Sequence, residues 1–196
     1  DSVSLGAYFG NERFSLHRLA PLAARLSRAG YATVAVTGGG FVHPRLGFAE
    51  GFDRYRFWES IAERDSELEK HLGIARGFLD DENSQPPYFL FFHTFEVHSP
   101  NSPREPHFSR LSGPVSPFEL RDDPTQRASP GNGFVSNPRI LLRNTATGEI
   151  SPLSPGQAEL PGQLYDSAIA FTDEHLGGWI ARLETEGKLE NTIVII

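Results

Sequence analysis

"PPYFLFFHT" (residues 86–94) is the stretch from which the fold follows. It is a continuous apolar run without the alternation of a half-exposed strand, so burial on both faces of a parallel sheet explains it best. Parallel strands need long crossovers, and the flanking text supplies helices for them. Upstream, "PLAARLSRAG" (21–30) has Pro21 at a first helical position and Gly30 just past the end. "YATVAVT" (31–37) then reads as a strand that opens onto "GGG" (38–40), where glycine lets another group approach the backbone closely. Between the two strands, Ile61, Asp65, Leu68, Leu72, Ala75 and Leu79 recur at spacings of four and three. That period predicts a helix with an apolar face, broken only by Asp65.

Downstream, Tyr165, Ile169, Thr172, Leu176, Ile180 and Leu183 mark one face of another helix, after which "EGKLENT" turns the chain into an apolar strand, "TIVII" (192–196). The predicted order is helix, strand, helix, strand, long loop, helix, strand. This is an α/β chain with a mostly parallel sheet and helices on both faces. Residues 101–162 are dense in Pro, Gly, Ser and Asn, with only "RILLRN" (139–144) resembling an element. They are expected to form a long irregular loop or insertion within a single domain spanning residues 1–196. The chain opens on Asp1, contains no methionine and stops inside "TIVII". The expectation is a piece of a longer protein, with the fold incomplete at both ends.

Composition narrows the function classes. A net charge of -7 and a pI near 5.5, with no arginine cluster, argue against a partner with a phosphate backbone, so no nucleic acid is expected. The longest apolar runs are too short to cross a bilayer, and no charged-then-apolar leader starts the chain, so no membrane insertion is expected. With no cysteine there is no disulfide, no thiolate metal site and no cysteine nucleophile in these residues. Oligomeric state and compartment are not legible.

In a parallel α/β sheet, ligands bind beyond the carboxyl ends of the strands. Here those ends are the "TGGG" loop and the "HTFEVHSP" segment, and at this point the chain resembles a family. "LSRAGYATVAVTGGGFVHPRLGFAEGFDRY" is similar to the sulfatase segment in which an AGY-x-T strand leads through a glycine loop to a GFD turn. "PPYFLFFHTFEVHSP" resembles the sulfatase strand ending in a histidine-containing, proline-closed loop, and "LYDSAIAFTDEHLGGWIARLETEGKLENTIVII" resembles the helix and strand that precede a metal-binding Asp-His loop. The resemblance implies an alkaline-phosphatase-like fold and hydrolysis of a sulfate ester on a small molecule or carbohydrate. It also implies a divalent cation, usually calcium, and a formylglycine nucleophile made from Cys or Ser, both expected from segments outside this chain. No metal ligand is assigned within it. Export or a periplasmic location is what the resemblance suggests.

The family also supplies roles by position. Its loop histidine that donates a hydrogen bond to the ester oxygen matches His98, which is the expected catalytic residue; an imidazolium can protonate or stabilise a leaving alkoxide. His93, at the strand end, is either a substrate-binding residue or a core histidine that orients the loop. Many members carry a glycine, a lysine and a histidine where this chain has Thr37, Gly38 and Gly40. The usual anion-binding lysine is therefore absent, and His43 and Arg45 are the candidates to bind the anion instead, against the alternative of ordinary loop residues. "SPNSPR" (99–104) has the wrong order of residues for the nucleophile motif and reads as loop. Glu96 is expected to point to the opposite side of an extended segment from its neighbours, Asp166 and Asp173 read as hydrated helix carboxylates and Asp53 as a turn-bracing one, and Trp58 and Trp179 read as packing residues. Two other functions stay open: a phosphoester or phosphonate hydrolase or phosphoryl transferase of the same superfamily, and a noncatalytic binding protein with the sulfatase fold.

Overall fold

The computed structural model describes residues 20–38, 42–58, 67–81, 87–98, 101, 103–112, 118–122, 140–144 and 146–196. They divide into two compact units, the described residues of 20–96 with Thr172–Ile196, and those of Val97–Phe171.

The first unit is built on a three-stranded parallel sheet. Helix α1 (Leu22–Arg28) leads into β1 (Ala32–Gly38), β2 is Arg54–Trp58, helix α2 spans Glu67–Asp80 and β3 is Tyr88–His93. The strand order is β2-β1-β3, with Val34 opposite Arg54 on one side and Leu90 on the other. Side chains alternate between the faces. Val34 and Val36 join Ala75 and Phe78 of α2 in a buried cluster, against which Trp58, Leu90, Phe92 and Trp179 also pack. Leu68, Leu72 and Ala75 of the predicted apolar stripe are buried, while Ile61 and Asp65 lie outside the described residues.

The opposite face carries the brace that explains two of the sequence signatures. The Asp53 carboxylate accepts the Thr33 N–H at 2.8 Å and lies 2.9 Å from the Thr33 hydroxyl, whose oxygen accepts the Asp53 N–H at 2.9 Å. The threonine of the AGY-x-T strand and the aspartate of the GFD turn are thus one device, joining the starts of β1 and β2. Ser27 of α1 reaches the same carboxylate at 3.5 Å, which places α1 on this face. Asp53→Ala removes two acceptors at an exposed site and is expected to cost about 1–2 kcal/mol, read as a lower urea midpoint at unchanged m-value.

Three expectations are corrected here. Strand β2 falls in "RYRFW", which was not anticipated; Tyr55 and Phe57 alternate with Arg54 and Arg56, the pattern of a half-exposed edge strand. Strand β3 is not buried on both faces: its residues are half-buried and Phe91 is exposed, because β3 is the other edge of the described sheet. "TIVII" forms no helix or strand and pairs with no described strand, and Ile193, Ile195 and Ile196 are almost fully exposed. An apolar run has strand propensity, but a ladder also needs a partner edge at hydrogen-bonding distance.

The second unit contains helix α3 (His107–Ser112) and an antiparallel sheet of β4 (Phe118–Asp122), β5 (Ile140–Asn144) and β6 (Ile150–Pro152), in the order β4-β5-β6. The stretch expected to be irregular therefore holds regular structure. Its β5–β6 turn is organised by Asn144, whose side-chain oxygen accepts the N–H groups of Ala146 and Thr147 at 2.8 and 3.1 Å. Phe108, Leu160 and Leu164 form its buried cluster, with Leu142 and Leu153 packed against them.

Helix α4 (Leu160–Thr185) contributes its first turns to this unit and its remainder to the sheet unit. Of the predicted stripe, Leu183 is buried and Thr172, Leu176 and Ile180 are half-buried, but Tyr165 and Ile169 are exposed, and Leu160, Leu164, Ser167 and Ala168 are the buried residues of the first turns. Small Ser167 and Ala168 permit close packing where large side chains would not fit.

Candidate functional site

Strands β1, β2 and β3 end together. In register, Thr37 faces His93 and Gly38 faces Trp58, so the carboxyl edge of the sheet presents the residue types that the sequence singled out. His93 Nδ1 lies 2.8 Å from the Gly38 carbonyl oxygen. A carbonyl can only accept, so Nδ1 carries the proton and Nε2 is the site left for other chemistry. The ring also sits near Phe91 and Phe95, with centroids at 6.5 and 5.9 Å.

Thr37 and Gly38, where many sulfatases place anion-contacting residues, are buried structural positions here; the Thr37 hydroxyl donates to the Arg56 carbonyl at 3.2 Å. Gly40 lies outside the described residues. His43 caps a one-turn 3-10 helix, Pro44–Leu46, where its Nδ1 accepts the Arg45 N–H at 3.0 Å, and its ring meets Phe57 edge-on at 4.5 Å. An accepting Nδ1 is unprotonated, so in this arrangement His43 serves the turn, and protonating Nδ1 would break the cap. The Arg45 side chain is exposed. Nearby, the Tyr55 hydroxyl donates to the Val42 carbonyl at 2.6 Å, and burial holds its pKa above the usual tyrosine value.

Beyond His93 the chain tightens into a turn at Glu96, where the backbone N–H donates to Thr94 Oγ1 at 3.2 Å. The segment is therefore not the extended one that would set Glu96 opposite its neighbours. His98 follows, exposed, in the second unit. The same unit gathers residues that the sequence reading passed over. Arg104 is buried with its guanidinium 5.2 Å from the centre of the Phe171 ring, and buried His107 meets that ring edge-on at 6.5 Å. Buried Ser167 links them to α4, accepting the Arg104 N–H at 3.4 Å and donating to the Leu164 carbonyl at 2.8 Å. Of "SPNSPR", the arginine thus belongs to a buried polar cluster backed by Phe171, while Ser99, Pro100 and Ser102 lie outside the described residues.

A further missed residue is His71 on α2, 2% exposed and with its ring centroid 4.3 Å from that of Trp58. Its signal was present: it lies three residues after Leu68 and four before Ala75, on the apolar stripe itself. Burial, and secondarily the nearby Lys70 charge, hold its pKa below the ordinary 6.5. The unfolded chain therefore binds a proton that the folded chain resists, and stability is expected to fall as pH drops below about 6.5. His71→Phe should flatten that decline in a series of urea titrations between neutral and mildly acidic pH.

Asp166 and Asp173 are exposed on α4, and Asp53 is engaged by Thr33. Among the described residues, no group of three or more His, Asp or Glu is arranged to hold a metal ion.

The Sulfatase family model matches residues 5–196. The chain belongs to the sulfatase family. No curated protein and no solved structure matches it significantly. Family membership accounts for the α/β architecture with a parallel sheet, which is that of the alkaline-phosphatase-like hydrolases. Sulfatases as a family act on sulfate esters and generally use a divalent cation and formylglycine. Among the described residues, no helix of this sulfatase-family chain is long and apolar enough to cross a membrane.

Proposed function

We propose that the full-length protein carrying this chain is a sulfuric ester hydrolase acting on a small-molecule or carbohydrate sulfate. A divalent cation, calcium by family resemblance, and a formylglycine nucleophile would come from segments outside residues 1–196. The observation that carries the reading is the sulfatase match over residues 5–196, which runs through the proline-closed loop bearing His98. In this reading His98 is the catalytic histidine: as the sulfur–oxygen bond breaks, its imidazolium donates a hydrogen bond or proton to the departing alkoxide oxygen. His93, with Nδ1–H held by Gly38, would donate from Nε2 to an oxyanion only as the imidazolium, and Arg45 would add positive charge. His43, whose Nδ1 is taken up by its cap on Arg45, would offer an anion its Nε2–H.

One observation favours a second reading. The lysine that many sulfatases use against the sulfate is missing, and Thr37 and Gly38 are buried in the sheet. A superfamily member with a different anion preference, such as a phosphoester or phosphonate hydrolase, or a noncatalytic binding protein, would show that departure.

Assays of the full-length protein on matched aryl sulfate, phosphate and phosphonate esters, with chelator and calcium add-back, separate the three. Sulfate hydrolysis lost on chelation and restored by calcium supports the sulfatase reading. Preference for a phosphorus ester transfers the assignment to the second, and no turnover of any ester to the third.

A further inference from the structure

His71 poses a physical problem that its burial alone does not answer. Neither of its ring nitrogens has a hydrogen-bond partner among the described residues, although buried polar atoms are nearly always paired. An orphaned imidazole at such a position calls for a role in its shape. Its neighbours supply one. The ring lies against Trp58 with centroids 4.3 Å apart, and its Cε1 would stand 3.3 Å from a Cβ placed on Gly38. Gly38 and Trp58 are register partners on the last rung of β1 and β2, so the imidazole closes the end of the sheet from the α2 side. The Gly38 carbonyl is also the group that holds His93 Nδ1, at 2.8 Å. One glycine thus has a flat ring pressed against its Cα and a second ring hanging from its carbonyl.

We propose that His71 is a positioning residue for His93: wedged between Trp58 and Gly38, it fixes the peptide whose carbonyl selects the Nδ1–H form of His93 and turns Nε2 away from Gly38. The nitrogens of His71 are bystanders in this arrangement, and its flatness and volume are what matter. A methyl at position 38 would press on the ring and push it back by a few tenths of an ångström, and a smaller group at position 71 would let the last peptide of β1 rotate. His93 Nε2 is then set for a ligand with an oxyanion, donating to it when the ring is protonated. That last step rests on the ester-hydrolase reading, whereas the positioning itself does not.

The test is ring-nitrogen NMR on the full-length protein labelled with 15N-histidine, at a pH where His93 is neutral. In the native protein His93 should be protonated at Nδ1. In His71→Ala the ratio of the Nδ1–H to the Nε2–H form should fall roughly fivefold, the loss expected for one neutral hydrogen bond. His71→Phe, which keeps the flat ring without the nitrogens, should retain the native ratio. Gly38→Ala should lower the ratio in an otherwise native chain, and it decides the matter if His71→Ala does not fold. An unchanged His93 signal in Gly38→Ala or in folded His71→Ala overturns the proposal, as does loss of the Nδ1–H form in folded His71→Phe. The measurement needs no turnover, so failure to hydrolyse any ester would sink the functional reading and leave this one standing.

Discussion

His98→Ala in the full-length protein is expected to lower kcat for an aryl sulfate by about a hundredfold or more, with the urea unfolding curve unchanged. The magnitude is that of removing one positioned general acid, about 10²–10⁴-fold. The unchanged stability follows from exposure: His98 sits at the surface in a turn, outside the buried cluster of Phe108, Leu160 and Leu164. A loss confined to KM would mean that the imidazole contacts the substrate equally in the ground and transition states. Substrates with better leaving groups sharpen the test, because a phenoxide of low basicity needs little protonation. The defect should shrink across a series of increasingly acidic phenols, and a defect constant across the series would remove His98 from the proton-transfer role. Undiminished turnover in His98→Ala would remove it from the site altogether.

Gly51→Ala is expected to be the most damaging single-methyl change in the sheet unit, costing about 2–5 kcal/mol. Two effects combine. Gly51 has φ +85°, where an L residue pays about 1–2 kcal/mol. A Cβ there would also run into the backbone of Ala24 on α1, and overpacking against a backbone that cannot rotate away costs about 1–3 kcal/mol more. The site is poorly placed to relax, because the Gly51 carbonyl lies 3.0 Å from the Thr33 hydroxyl of the Asp53 brace. Moving one loosens the other. The loss is a large share of a typical domain's 5–15 kcal/mol, so partial unfolding at room temperature is the expected result by circular dichroism. Adding Ala24→Gly should rescue little, since the colliding atoms include the Ala24 backbone. Substantial rescue would place the strain in the methyl group instead.

The parallel sheet and its helices were legible because their signals are local. A continuous apolar strand, a strand opening onto glycines and a 3.6-residue period each fall within about a dozen residues. What failed was whatever depended on partners. The pattern of "YFLFF" cannot say whether a strand lies beyond β3, and that of "TIVII" cannot say whether an edge is available to it. The half-exposed alternation of "RYRFW" was overlooked because two arginines disguise a strand whose Trp58 belongs to the core.

At the site, the family motif indicated His98 and the strand end indicated His93. The tautomer of His93 depends on Gly38, a neighbour in space far away in sequence. His43 shows the same limit: its type and place suggested an anion contact, while the bond that occupies its Nδ1 with the adjacent backbone and leaves Nε2–H as its donor is seen only in the structure. Arg104 and His107 were hidden in text dense in proline and serine, where no periodicity reveals which side chains turn inward.

The ends of α2 and α4 are joined by charge. Arg76 bridges Asp80 and Glu186, each at 2.6 Å, while Lys188 pairs with Asp80 at 2.9 Å and donates to the Leu79 carbonyl at 3.2 Å. These cations stand where two helices expose their last carbonyls and the negative ends of their dipoles. Individually such surface pairs are weak, but a shared network removes the independence of the two termini. Fraying at one helix end releases counter-charges that the other needs, so both ends should open as one unit. Amide exchange at Leu79 and at Lys188 should therefore quicken together as salt is raised, giving this edge of the protein a single ionic-strength-dependent latch in place of two frayed tips.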